Sequence, residues 1–327
     1  MAIGTNMEWM KQFEREIEDT FREAEKEASL FPFPLNGIGV DHLAKLNPLR
    51  SGQGSNLITF LLPYWLSEYA GSSPEVGREL AVGNVFAMLH FFLLDDAMDE
   101  GGIMKGAGAP SRRLLALGQL CHAAFQGRYD RIAVPGWSWS ASNNEYVRQW
   151  AEAVAEEGEV AADPGDVGRL ARKSAPVKLC VAVILRLSGR EDRLPELEKA
   201  VDLALATLQL SDDWTDWRED LAGGQEKCNA FLTLARERIA LPLAEPLDER
   251  QVRRAIYRAN AAGALSDIAD GYSERMSRLT DIPGELYAFQ RATAAGIREG
   301  ADEVAAVKTR LAVEGGLSYF LSQHVIK

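Results

Sequence analysis

Two carboxylate-rich runs carry the first chemistry legible in this chain: FFLLDDAMDE at 91–100 and LQLSDDWTDWRED at 208–220. On a helix turning ~100° per residue, Asp95 and Asp99 share one face, and Asp96 and Glu100 form a second pair beside it. Asp212, Asp216 and Asp220 fall at i, i+4 and i+8, with Glu219 on the same stripe. Like charges at this spacing repel, weakly when exposed and more strongly when partly desolvated. A bound cation reverses the sign.

Beneath each stripe the same helix face turns apolar. Met88, Phe91 and Phe92 lie under Asp95, and Val201, Leu205 and Leu208 under Asp212, so both sets of carboxylates rim an apolar surface. Trp214 and Trp217 project to the other side of their helix. One acidic helix end is commonly a solvated terminus, but two of the same design 117 residues apart imply a shared task. Facing carboxylates suit Mg²⁺, a hard ion that takes one or two carboxylates and fills its remaining positions with water and phosphate oxygens. The implied substrate carries a phosphate chain and a hydrophobic tail.

The elements that must present these residues are helices. Apolar residues recur at three- and four-residue spacing almost throughout, and period-two runs of β-branched residues are scarce. The pattern predicts an all-α chain with helices over 6–29, 55–70, 75–100, 111–127, 142–158, 166–188, 194–220, 228–239, 249–272 and 284–323, the first of them an N-terminal amphipathic helix within 1–30. Breaks fall at FPFPLNG, GGIMKGAGAP, RIAVPGWSWS, ADPGD, LAGG and LPLAEP, rich in Gly and Pro. None resembles a long linker, and no repeat is present, so 1–327 reads as a single domain. Pro176, inside 166–188, predicts a kink.

Composition narrows the function classes. A net charge of -12, from 36 basic and 48 acidic residues, argues against sequence-independent nucleic-acid binding, which needs clustered Lys and Arg. The longest apolar runs, LITFLLPYWL and LCVAVIL, fall short of the ~20 residues of a membrane span. The N-terminus has neither the apolar block nor the cleavage site of a signal peptide, so a cytoplasmic protein is expected. Three well-separated cysteines give neither a disulfide framework nor a zinc site. The four histidines form no ligand spacing, and His90 reads as a core residue before a proton acceptor.

With these residues in view, the sequence resembles the class I isoprenoid synthases, the all-α family of trans-prenyltransferases and terpene cyclases. DDAMD resembles the first aspartate-rich motif and QLSDDWTDWREDLAGGQEK the second. RKSAPVKL resembles the family's basic segment, which implies Lys173 as a diphosphate ligand with Arg172 beside it. Lys227, fifteen residues after Asp212, matches the later lysine of the second motif. The resemblance implies a bundle of ten or more helices around a central apolar cavity and three Mg²⁺ ions, with Asp95, Asp99, Asp212 and Asp216 catalytic. Asp96 and Asp220 complete the implied metal set; Asp220 also fits the last position of a cyclase triad that normally ends in Glu. Met88, Phe91, Phe92, Leu205 and Leu208 are the expected pocket, the partner an allylic prenyl diphosphate of the C15 or C20 class, and the assembly a homodimer.

Chain-elongating members need a second diphosphate site for isopentenyl diphosphate, built from a Gly-Lys-x-x-Arg-Pro segment and an Arg-Arg pair after the first motif. Here Arg50 stands alone upstream, Met104-Lys105-Gly106 occupies the pair's place, and Arg112-Arg113 lies too far along. The expected activity is therefore a terpene synthase that ionises one allylic diphosphate and cyclises the cation, although no Arg-Tyr pair accompanies Tyr319 and Phe320 near the C-terminus. The alternatives are a prenyltransferase with an unconventional second site, or a non-catalytic subunit of a heteromeric synthase.

Overall fold

The computed structural model describes residues 11–51, 56–99, 109–132, 134, 136–242 and 244–314. Among them the fourteen α-helices form an all-α bundle, without strands. In chain order they are α1 (Glu14–Ala28), α2 (Leu35–Leu46), α3 (Pro48–Ser51), α4 (Leu57–Ala70), α5 (Pro74–Asp99), α6 (Ala109–Asp130) and α7 (Ser140–Ala155). Then follow α8 (Val167–Arg172), α9 (Leu179–Ser188), α10 (Leu194–Ala222), α11 (Ala230–Arg238), α12 (Glu249–Ala259), α13 (Ala261–Ser277) and α14 (Gly284–Glu314). The helix α5 packs between α4 and α6, and α10 runs along α14 and across α8.

Ten of the fourteen residues of α4 are buried, as expected of a helix apolar on nearly every side. Pro63 has no N–H to give the carbonyl of Thr59 four residues back. Asn84 Nδ2 of α5 donates to that carbonyl instead, at 2.7 Å, and the Tyr129 hydroxyl donates in turn to Asn84 Oδ1 at 2.5 Å. Pro74–Met98 is long and apolar enough to cross a membrane by length and composition, but 67% of its most apolar 18-residue window is buried inside the bundle. Packed between α4 and α6, it is a core helix.

Three sequence expectations need correction. FPFPLNG does not simply break the chain, because α2 starts at Leu35 directly after Pro34, where a proline is tolerated. The stretch 249–272 is two helices, divided at Asn260, whose φ of 55° is the left-handed conformation that asparagine accepts more readily than most residues. The stretch 166–188 breaks into α8, a 3-10 turn at Ala175–Lys178 and α9, with the kink at Pro176 as predicted.

One buried cation ties α1, α5 and α6 together. The Arg128 side chain is 5% exposed and donates to Glu23 (2.5 Å), Glu27 (2.8 and 2.5 Å) and Glu79 (3.1 Å). Arg128→Met leaves three carboxylates facing one another without their cation. Since those acids are partly solvated, a loss of about 2–3 kcal/mol is expected, read as a lower urea midpoint at unchanged slope.

Candidate active site

The first acidic run closes α5. Asp95 and Asp96 are exposed in its last turns, and Asp99 ends the helix, its side chain lying outside those described. The C-terminal end of a helix carries partial negative charge and favours cations, yet the last turn of α5 has no basic residue. The two described carboxylates diverge. Asp95 lies close enough to Lys173 to raise its pKa, whereas Asp96 faces His42 of α2 and opposes the lowering that burial and Lys45 impose there.

The second run occupies the end of α10, which also lacks a basic residue in its last turn. Asp212 is solvent-accessible but flanked by protein; desolvation, then Asp216 and Asp220, push its carboxyl up to about 6. Partial burial, with Glu219 and Asp220, raises Asp216 as well. Asp220 Oδ2 accepts a 2.8 Å hydrogen bond from Asn229 Nδ2, which also donates to the Asp213 carbonyl at 2.8 Å. Asn229 Oδ1 caps α11 by accepting from Leu232 N at 2.8 Å. Asp213, 4% exposed, accepts from Ala230 N at 2.7 Å and from Gln209 Nε2 at 2.8 Å. Its burial outweighs those bonds and pushes its carboxyl up to about 7.

The break at Pro176 supplies the basic side. Backbone bonds from Ser174 N to Ala171 O and from Val177 N to Ser174 O turn the chain between α8 and α9. That turn delivers Lys173, Ser174, Pro176 and Val177 to an open cavity of mixed polarity, lined also by Asn56 and Thr59 and by one stripe of α5: Asn84, Ala87, Met88, Phe91 and Phe92. Phe91 packs on Trp150 with ring centroids 4.7 Å apart, and Phe92 is 37% exposed.

Lys173 also borders a second, open cleft of about 460 Å³, solvent-open space included. Three cationic side chains line it, Arg169, Lys173 and Lys227, against the single carboxylate of Glu157. Gln209 and Cys228, with Ala153, Gly158, Val160, Ala162 and Leu170, make up the rest of its lining. Burial lowers the Lys173 pKa, but the Glu157 ion pair, Asp95 and Cys228 outweigh it and the net shift is upward. Cys228 in turn feels Glu157, Lys173 and Asp220, so both acidic runs border the surroundings of this cleft.

The structure thus brings Lys173, Lys227, Met88, Phe91, Phe92 and Asp95 to adjoining surfaces. Arg172 lines neither cavity. Leu205 is buried and Leu208 half-buried against the core, and neither lines either of the two cavities. Trp214 and Trp217 are packing residues: Trp214 meets Phe231 edge-on at 4.8 Å, and a Cβ on Gly300 would come within 2.7 Å of its Nε1. His90 Nδ1 pairs with the Gly118 carbonyl at 2.9 Å, and burial lowers its pKa. Arg50 pairs with both oxygens of Glu25 (2.7 and 3.1 Å), and Arg112-Arg113 opens α6. Met104-Lys105-Gly106, Glu100, Tyr319 and Phe320 lie outside the described residues.

The donor chemistry of both runs fits Mg²⁺. Both offer hard carboxylate oxygens, and in the second run these are crowded by like charge, which with desolvation holds the accessible Asp212 well above the usual carboxylate range. Among the described residues no three acids, histidines or cysteines gather round one point. An ion that takes most of its ligands from water and phosphate needs no such cage.

Sequence reasoning overlooked Glu157, Gln209, Asp213, Cys228 and Asn229. Only Asn229 carried a local signal, an asparagine ahead of an apolar helical run. Neither a known protein family nor a curated protein matches this chain.

Proposed function

We propose that the protein is a Mg²⁺-dependent terpene synthase that ionises one allylic prenyl diphosphate, of the C15 or C20 class, and cyclises the resulting cation. The observation that carries this reading is the double position of Lys173. It lines at once a cationic cleft and a cavity with an apolar wall of Met88, Phe91, Phe92 and Val177, in a chain of net charge -12, with Asp95 in electrostatic range. A ligand that satisfies both surfaces has an anionic head and a hydrocarbon tail.

In this mechanism the diphosphate oxygens sit against Lys173 and Lys227 while the tail enters along Met88, Phe91 and Phe92. The allylic C–O bond breaks and its electron pair stays with the diphosphate oxygen. Asp95, Asp99, Asp212 and Asp216 would hold Mg²⁺, with Asp96 and Asp220 alongside; when bound, the metal supplies the positive charge that stabilises the departing diphosphate. Each of the two phenylalanine faces can stabilise the cation by about 0.5–2 kcal/mol. Internal alkylation by the chain's own double bonds gives a cyclic cation, which becomes neutral by losing a proton to the released diphosphate, giving a hydrocarbon, or by taking up water and losing a proton, giving an alcohol.

Arg50, the one arginine in the upstream segment nearest to a second diphosphate site, is engaged by Glu25, and that favours one diphosphate over two. The test is incubation with C10, C15 and C20 allylic diphosphates and Mg²⁺, with and without isopentenyl diphosphate. Expected are cyclic hydrocarbons or alcohols plus free diphosphate, unaffected by isopentenyl diphosphate. A longer diphosphate would make the protein a prenyltransferase, and absence of turnover would leave the non-catalytic subunit.

A further inference from the structure

Glu157 is the sole carboxylate among the residues lining the cationic cleft, and its side chain is ion-paired with Lys173. We propose that Glu157 is a built-in competitor for the anion: it holds Lys173 in the free protein, must surrender it to the arriving diphosphate, and so sets the affinity of the cleft. The inference rests on the diphosphate reading of that cleft and adds a positioning residue to it.

Glu157 and Lys173 differ in how far they can move. The loop carrying Glu157 is pinned on its C-terminal side. Ala162 N donates to the Lys227 carbonyl at 2.8 Å, Arg169 donates to the carbonyls of Val160 (3.0 Å) and Ala161 (3.4 Å), and the Tyr272 hydroxyl donates to the Pro164 carbonyl. On its N-terminal side Glu157 N donates to Val154 O at 3.3 Å, at the end of α7. The backbone of Glu157 therefore stays with the wall, and its side chain is shorter than that of Lys173. Lys173 has a flexible four-carbon stem and a compact charge that can swing between partners. Arg169 cannot substitute for it, since its guanidinium is engaged by loop carbonyls. The pair is partly solvated, with the two side chains 40% and 27% exposed, so it attenuates anion binding and does not abolish it.

The probe is inorganic diphosphate with Mg²⁺, titrated calorimetrically into the full chain at fixed ionic strength. Glu157→Gln keeps the shape of the side chain and removes its charge; binding about three- to tenfold tighter than wild type is expected. Deleting a negative charge near an anion site also helps through the general field, so the same substitution is made in a Lys173→Met background. If Glu157 acts through Lys173, the gain there shrinks to a minor part of its value. An equal gain in both backgrounds, no gain, or weaker binding by Glu157→Gln overturns the inference while leaving the cleft an anion site. Failure of the wild-type protein to bind diphosphate at all overturns the functional reading and this inference with it.

Discussion

Asp212→Asn is expected to lower turnover of the allylic diphosphate by on the order of 10²- to 10³-fold, the range seen when one charge-stabilising group is removed from an active site. The same change is expected to raise the melting temperature of the metal-free protein at pH 7.5. Both effects have one cause. Asp212 shares a stripe with Asp216 and Asp220 at the negative end of α10, and its carboxyl is held at about 6 by desolvation and by those two neighbours. An uncharged isostere relieves that repulsion, and it also removes the oxygen charge a divalent ion needs. Wild-type protein should gain thermal stability from Mg²⁺ with diphosphate by mass action, and the variant should gain much less. Diphosphate release and thermal unfolding, each with and without excess EDTA, read the two halves separately. Undiminished turnover by Asp212→Asn, or by wild type in EDTA, would remove the acidic stripe from the chemistry. Gained stability with lost activity is the pattern of a site assembled against its own electrostatics.

Helix positions were largely legible because burial imposes a three-to-four-residue rhythm, and the exceptions have local causes. In α2 the rhythm is interrupted by Gly37 and Gly39, and the helix opens behind a proline pair that reads as a turn. At Asn260 a single left-handed residue divides a continuous amphipathic pattern, and nothing in the spacing marks it. The acidic stripes were legible for the same reason as the helices, since i, i+4 repetition is a property of one segment. The α5 stripe under Asp95 does reach a cavity, but on α10 Leu205 is buried in the core and Leu208 packs against it, so similar patterns yield a cavity wall in one helix and core in the other. Contacts that join distant segments leave no local trace. Glu157 meets Lys173 across sixteen residues, and Asn229 reaches Asp220 around the glycine turn that ends α10, both through loop geometry no periodicity encodes.

Asp213 is expected to impose a large pH effect on stability below neutral pH, and Asp213→Asn to remove most of it. The group is buried and its carboxyl lies at about 7 in the folded chain against 3.8 ordinarily; desolvation is the leading cause, and hydrogen bonds from Gln209 and Ala230 oppose it only in part. A raised folded-state pKa means the folded state holds the proton longer than the unfolded chain. The resulting stabilisation is complete below 3.8 and drains away as pH rises through about 7. Between pH 5 and 7 the loss should be on the order of 2–3 kcal/mol at most. The histidines run the other way: His42, His90 and His122 are lowered, chiefly by burial, so their contribution is present above 6.5 and is lost as pH falls through their folded values. Those contributions are common to both proteins and cancel in the difference. Asparagine preserves the acceptor for Ala230 N, and Gln209 can rotate its amide to accept from the new NH₂. The melting temperature of Asp213→Asn minus that of wild type, measured in EDTA, should therefore climb steadily from pH 5 to pH 7.5. A difference independent of pH would mean that Asp213 is ionised throughout that range, and that the junction of α10 with the N-terminus of α11 solvates the charge better than its burial implies.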